Sequence, residues 1–378
     1  MLRLGYYKLE RDKEKAEDWI WIVDHTVQLG HEKCLVILGI RQSRLPPVEL
    51  YLDHEDVEPI ALLPVQSSNG EVVYQQLTQA AEKTGVPRQI VADHGSDIKS
   101  GIERFCNENK HCCFTYDIKH KSASILKREL KDDEQWNEFI KLSATTRQRV
   151  CQTPLAALAP PNQRSKARYL NLDILVKWGQ QKLVYLDLPK NEHDEIFDAQ
   201  QMEDKLGWLK AYRDHLHQWQ ELIESVKTAE EYIKFVGIFD DCHIQLRDEV
   251  DFCATSPQAK RVWLELLVFI EQQSLKAKQN ERLLGSSEVI ESVFGKFKSL
   301  EQNQVKNGFT SLLLSLAATV SKTTKDTIEK AMKTVPTKKV RNWFEQIVGH
   351  KSVQAKRKLA SDQIRKSEQK RDEIFDSC

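Results

Sequence analysis

A chain of 378 residues, 40% hydrophobic and 30% charged, has enough apolar material for a buried core, which excludes a disordered protein and suggests two or three domain-sized units. Lys plus Arg and Asp plus Glu number 56 each, so no overall basic surplus marks a nucleic-acid binder and any such surface must be local. Eight scattered cysteines, with no pair of pairs at zinc spacing, fit reduced thiols in a cytoplasmic protein.

Residues 1–16 read as a lead-in; up to residue 18 the chain mixes Arg, Lys, Glu and Asp and lacks the apolar run of an export signal. Residues 19–23 (WIWIV) and 34–40 (CLVILGI) are strands of the buried type, and a third strand falls within 48–52 or 60–65. Over residues 71–84, Val72, Val73, Leu77, Ala80 and Ala81 recur near helical spacing, and Gly85 with Pro87 supplies a stop. Residues 88–92 (RQIVA) make a fourth strand, Ser96 and Asp97 cap a helix to about residue 107, and residues 112–116 (CCFTY) make a fifth strand. Three strands, helix, strand, helix, strand predict an α/β fold: a mixed five-stranded sheet with helices on its faces.

Beyond residue 116 the strands nearly stop. Residues 120–131, 133–143, 200–228, 229–239 and 257–280 carry long helical patterns, broken by the Pro-rich stretch 153–163, and 170–188 is ambiguous between helix and strand. A further helix at 286–297 turns Ile290, Val293, Phe294 and Phe297 to one face, and helical patterns follow at 308–321 and 325–332. The stretch 309–320 is the most apolar and is too short to span a bilayer, so no membrane partner is predicted. The expected organisation is a lead-in (1–16), a first part of the α/β core (17–120), an all-α insertion (121–284), a return of the core with an acidic helix and carboxyl-terminal helices (285–348), and a basic tail (349–378).

Asp24 ends the run 19–23 and Asp93 ends the run 88–92. Ligand groups collect at the carboxyl ends of strands in open α/β sheets, and two carboxylates there can share a divalent cation that offsets the cost of their burial. The plainer alternative is a solvated turn residue at Asp93 and a strand cap at Asp24. Glu288 and Glu291 lie one turn apart on the helix 286–297, with Lys298 two turns beyond Glu291 on nearly the same face. As ordinary surface charges the three would be unremarkable.

The segments WIWIVDHTVQ, RQIVADHGSDIKSGIERF and GSSEVIESVFGKFK resemble the three acidic motifs of ribonuclease-H-like DDE transposases from bacterial insertion sequences. Glu291, followed after six residues by Lys298, matches the end of a signature of some insertion-sequence families; in place of the Tyr and Arg upstream of that Glu stand Gly285, Ser286 and Ser287. Asp117 and His120 resemble a second motif of hAT and Mutator-type transposases, a Cys or Asp followed after two residues by His, though an Asp and a His at this spacing also commonly form a helix cap and a surface pair.

The resemblance implies a ribonuclease-H-like core interrupted by a helical insertion, and catalysis by Asp24, Asp93 and Glu291 as ligands of two magnesium or manganese ions. Asp24 would bridge the ions, Asp93 and Glu291 would each hold one, and Lys298 would steady a phosphate. Asp117, His120 and Glu288 would be auxiliary, His120 through a hydrogen bond to a metal-bound carboxylate or a contact with phosphate. The implied reaction is metal-dependent cleavage and strand transfer on double-stranded DNA, at element ends and target, by an enzyme that self-associates on DNA in the bacterial cytoplasm, at the nucleoid.

Rival readings are a ribonuclease-H-like nuclease without strand transfer and an inactive or truncated remnant that only binds DNA. The 23 residues before Asp24 leave no room for an amino-terminal helix-turn-helix, so end recognition is expected in the insertion and tail, unless the chain is truncated. In the tail, Lys356, Arg357, Lys358, Arg365 and Lys366 are the candidate DNA contacts, with a solvated helix as the alternative. Trp178, Trp208, Trp219 and Trp263 offer stacking surfaces for bases, although core packing is the better expectation for each. Adjacent Cys112 and Cys113 point to opposite faces of a strand, which argues against zinc shared with His111 and His120.

Overall fold

The run WIWIV shows no polar alternation because both faces of its strand are covered. In the structure, a computed structural model that describes residues 1–29, 32–162, 172–187, 199–250, 255–302, 311–347, 357 and 359–365, this run opens β1 (Trp19–Leu29). β2 (Glu32–Arg41) and β3 (Glu58–Val65) continue as an antiparallel meander, while β4 (Gln89–Ala92) and β5 (Cys113–Tyr116) add in parallel on the other side of β1. The order is β3-β2-β1-β4-β5, a mixed five-stranded sheet. The third strand is the one at 60–65; residues 48–52 are irregular, and Leu50 and Leu52 serve as core residues.

The chain forms two compact units, one of Met1–Asp117 with Leu283–Cys378 and one of Ile118–Arg282. In the first, Trp19, Trp21, Val23, Ile37 and Ile90 face α2 (Gly70–Thr84) and α3 (Ser96–Glu108), which bury Val73, Leu77, Ile98, Ile102 and Phe105. The Asn69 side chain caps α2 by accepting the Val72 N–H, and Gly85 ends it at φ 82°, a left-handed angle that favours glycine. Ile20, Ile22, Val36, Leu38 and Val91 face the other way, against Val289, Ile290, Val293, Phe294 and Phe297 of α11 (Glu288–Gln302). α12 (Leu314–Thr319) and α14 (Thr337–Ile347) add Leu316, Val340 and Trp343 to this layer, and α13 (Lys325–Thr334) lies between them in sequence.

The expected lead-in holds a helix, α1 (Leu2–Glu10), whose Gly5 approaches α12 so closely that any Cβ there would overlap the Leu314 carbonyl. Lys8 is wholly buried, and its ammonium donates to Val320 O at 2.7 Å, Ser321 O at 2.8 Å and Thr323 Oγ1 at 2.6 Å. A cation among the carbonyls at the end of α12 also complements the helix dipole.

The second unit is built from α4 (Ile118–Lys131), α5 (Glu134–Val150), α6 (Leu172–Asp187), α7 (Ala199–Leu206), α8 (Arg213–Val236), α9 (Cys242–Glu249) and α10 (Pro257–Ser274). The ambiguous stretch 170–188 contributes the helix α6. No break occurs at 228/229: α8 runs on to Gly237 at φ 88°, and the interruption comes earlier, in a 3-10 turn at Gly207–Tyr212. Trp136, Phe139, Tyr212 and Trp219 interlock, with ring centroids of Trp136 and Trp219 4.9 Å apart. Trp178 and Trp263 are buried core residues, Trp178 donating to Leu158 O, while Trp208 is half-buried and donates to Thr146 Oγ1.

Candidate functional site

Val23 pairs with Ala92 in the parallel ladder of β1 and β4, strands about 4.8 Å apart. Asp93 follows the end of β4, whereas Asp24 sits in the middle of β1, paired with Val36 of β2, where the pairing with β4 stops, so the strand does not end with the apolar run. Side chains alternate along a strand. Ile20 and Ile22 on β1, and Val91 on β4, belong to the layer that α11 covers, and the same alternation along β1 directs Asp24 to that side. Asp24 and Asp93 are both half-buried. Asp24 Oδ1 accepts the His25 N–H at 2.6 Å, and Asp93 Oδ1 accepts the Gly95 N–H at 3.0 Å, the local bond expected of a turn aspartate.

Glu288 and Glu291 occupy the first turn of α11, where the helix dipole favours carboxylates, and both are half-buried. Lys298 is exposed farther along the helix. Asp117 leaves β5 just after Tyr116, is 1% exposed, and its Oδ2 accepts both the Ser287 N–H at 2.5 Å and the Ser287 Oγ–H at 2.9 Å. His120 belongs to α4 of the second unit and is half-buried.

Two groups in the first unit escape sequence reasoning. Gln89, wholly buried at the start of β4, accepts the Leu284 N–H at 3.0 Å and donates to Leu284 O at 2.6 Å and Thr115 Oγ1 at 2.7 Å. The only sign of it in the sequence is a polar residue opening an apolar run, which a buried strand must satisfy internally. The other group centres on His25, which points opposite to Asp24: its Nδ1 lies 3.7 Å from Asp97 Oδ2, and its Nε2 lies 3.4 Å from Ser68 Oγ. Burial pushes the His25 imidazole down to about 4, so it is neutral at pH 7. Burial works against ionisation of Asp97 too, but hydrogen bonds from Lys33, at 2.9 Å, and from Ser68 hold its carboxyl down at about 2. Nearby, His94 stacks on Tyr116 at 3.5 Å, and burial together with Asp93 and Asp117 raises the Tyr116 phenol to about 12.

An all-oxygen donor set of Asp24, Asp93 and Glu291 suits a hard divalent cation. Among the described residues, however, no three His, Cys, Asp or Glu side chains gather closely enough to hold a metal ion. The neighbourhood therefore presents Asp24 within β1, Asp93 just after β4 and an acidic helix start, without a formed cluster among the described residues. Of the tail residues, Arg357 and Arg365 are exposed on a helical segment, while Lys356, Lys358 and Lys366 lie outside the described residues. Among the described residues, no helix is long and apolar enough to cross a membrane.

No family model matches this chain, and no curated protein matches it. Among solved structures it is similar to the Drosophila P element transposase strand transfer complex, at 10% identity over 88% of this chain and 84% of that one. The TM-score is 0.36, a likeness too slight to assign either residues or activity.

Proposed function

We propose that the chain is a DDE-type transposase of the bacterial insertion-sequence kind, a metal-dependent polynucleotidyl transferase with a ribonuclease-H-like core and a helical insertion. The observation that carries the reading is the adjacency of Asp24, in mid-β1 on the side of the sheet that the helix of Glu288 and Glu291 covers, and Asp93, directly after the paired parallel strand β4. The mixed sheet, with an antiparallel meander flanked by two parallel strands, suits such a core.

In this reading Asp24, on the central strand, Asp93 and Glu291 would hold the two ions. Bound magnesium or manganese would activate the attacking oxygen and stabilise the leaving one. The chain's own share is position and charge: Asp24 and Asp93 are fixed by the sheet, Glu291 by α11, and Lys298 can reach a backbone phosphate. The neutral His25 adds no positive charge beside the acids. Double-stranded DNA is the substrate, with the Ile118–Arg282 unit and the basic tail as the proposed contacts to element ends, and two copies are proposed to meet on the DNA.

The test is a single-turnover assay on a labelled duplex carrying the inverted repeats that flank the gene. Joining of the cut end to a second duplex, dependent on magnesium or manganese and lost in Asp24→Asn, supports a transposase. Cutting without joining assigns a nuclease. A second reading, a DNA-binding remnant, is favoured by the lack of a formed three-residue cluster among the described residues. Retarded DNA with neither cutting nor joining would establish it.

A further inference from the structure

The segment from Leu284 to Ser287 leads into α11 without belonging to a ladder or helix of its own, so its buried backbone groups need partners from elsewhere. At Leu284, which is 3% exposed, one side chain supplies both: the Gln89 amide takes the N–H and gives to the carbonyl, as a neighbouring strand would. The second N–H of that amide goes to Thr115 Oγ1, which also donates to Leu284 O at 3.3 Å. Three residues on, Asp117 holds Ser287 through two hydrogen bonds, and α11 begins at the next residue.

We infer that Gln89 and Asp117 are positioning residues for the acidic helix, fixing its start so that Glu291 can join Asp24 and Asp93 around an ion; this rests on the metal-site reading above. A helix advances about 100° per residue, so a slip of one position at Ser287 would turn the direction of Glu291 by that angle. Apolar contacts along Val289, Val293 and Phe297 resist such a slip only weakly, because they are non-directional. Paired donors and acceptors are directional. Burying an amide and a carboxylate is otherwise costly, and a core built for stability alone would be served as well by aliphatic side chains. Gln89 lies on β4, which Asp93 follows, and Asp117 directly follows β5 beside it, so both clamps refer the helix to the parallel strands next to β1.

The experiment measures Mn2+ affinity of the full chain by electron paramagnetic resonance of the free ion, with thermal unfolding alongside. Gln89→Met removes the clamp at nearly constant volume. Gln76→Met is the control, since Gln76 is another buried amide, bonded to Leu63 O at 2.9 Å on the opposite side of the sheet from α11. We expect Gln89→Met to weaken Mn2+ binding about tenfold or more, the usual effect of removing a group that orients a ligand, and Gln76→Met to leave it unchanged. Asp117→Asn, which keeps an acceptor for the Ser287 N–H, should retain more affinity than Asp117→Ala. Should Gln89→Met fail to fold, Ser287→Ala, which deletes one hydroxyl, carries the same test with a loss of a few-fold. Affinity in Gln89→Met and Asp117→Ala equal to that of the parent, while Asp24→Asn loses binding, overturns the positioning role alone. An Asp24→Asn variant that binds Mn2+ as the parent does overturns the metal site and the positioning role together.

Discussion

Asp24 and Asp93 lie at one level of the sheet, Asp24 within β1 and Asp93 just past β4, because Val23 and Ala92 are partners in the parallel ladder just before them. If they share divalent ions, millimolar magnesium should raise the melting temperature of the parent chain by mass action and leave that of Asp24→Asn unmoved. Cleavage by Asp24→Asn or Asp93→Asn should fall roughly a thousandfold, about 4 kcal/mol of lost transition-state stabilisation. Differential scanning fluorimetry with and without the ion checks the first expectation, and single-turnover cleavage the second.

His25 makes stability sensitive to mild acid. The unfolded chain takes up this proton near pH 6.5, whereas the folded chain resists until about pH 4, so between those values protonation favours unfolding. Stability should decline as the pH falls through this window, by up to ~3 kcal/mol at its lower end. A second decline, from Asp97, follows only as the pH drops below 4 toward 2. His25→Gln should flatten the first and spare the second. Melting temperatures from pH 7 to 3 separate the two, and an unchanged profile in His25→Gln would assign the sensitivity elsewhere.

Lys8→Met should destabilise the first unit by about 3 kcal/mol, since it strands the Val320 and Ser321 carbonyls that the ammonium now satisfies. Chemical denaturation with an unchanged slope and a lower midpoint is the expected result. A midpoint equal to that of the parent would mean that water replaces the ammonium.

Because Asp117 bonds to Ser287 and Gln89 to Leu284, the two places where the chain leaves and rejoins the first unit are tied together within that unit. Replacing residues 118–282 with a short Gly/Ser linker should therefore give a chain that unfolds cooperatively. Loss of the melting transition would show that the first unit needs the second.

A truncation before Lys351 should flatten the dependence of log affinity on log salt for duplex DNA by about 0.9 for each phosphate that the tail neutralises. Arg357 and Arg365, both exposed, are the described residues at stake. Titrations at several salt concentrations measure the slope, and an unaltered one would remove the tail from the DNA-contacting surface.

The sheet was legible where burial on both faces made strands continuously apolar, as in WIWIV and CLVILGI. The two aspartates were visible for the same reason, each being the first charge after such a run. α1 stayed hidden because Lys8, a charge, is one of its buried residues, and hydrophobic periodicity has no symbol for a lysine that folds inward. α14 buries Val340 and Trp343 at helical spacing, and the surrounding Lys338, Lys339 and Arg341 mask that short pattern. The clamps at Leu284 and Ser287 were illegible because each depends on a partner far away in sequence, which no local pattern encodes.

The separation of Gln89 from Leu284, 195 residues, also orders events on the ribosome. The strands and α2 and α3 emerge first, leaving the side of the sheet formed by Ile20, Ile22, Val36 and Leu38 bare until α11 is synthesised. At ordinary elongation rates of about 5–20 residues per second, the wait through residues 118–282 lasts roughly ten to thirty seconds. Nascent chains stalled inside that interval should be sticky and chaperone-bound, and release of the chaperone should coincide with the appearance of the residues that close the far side of the sheet.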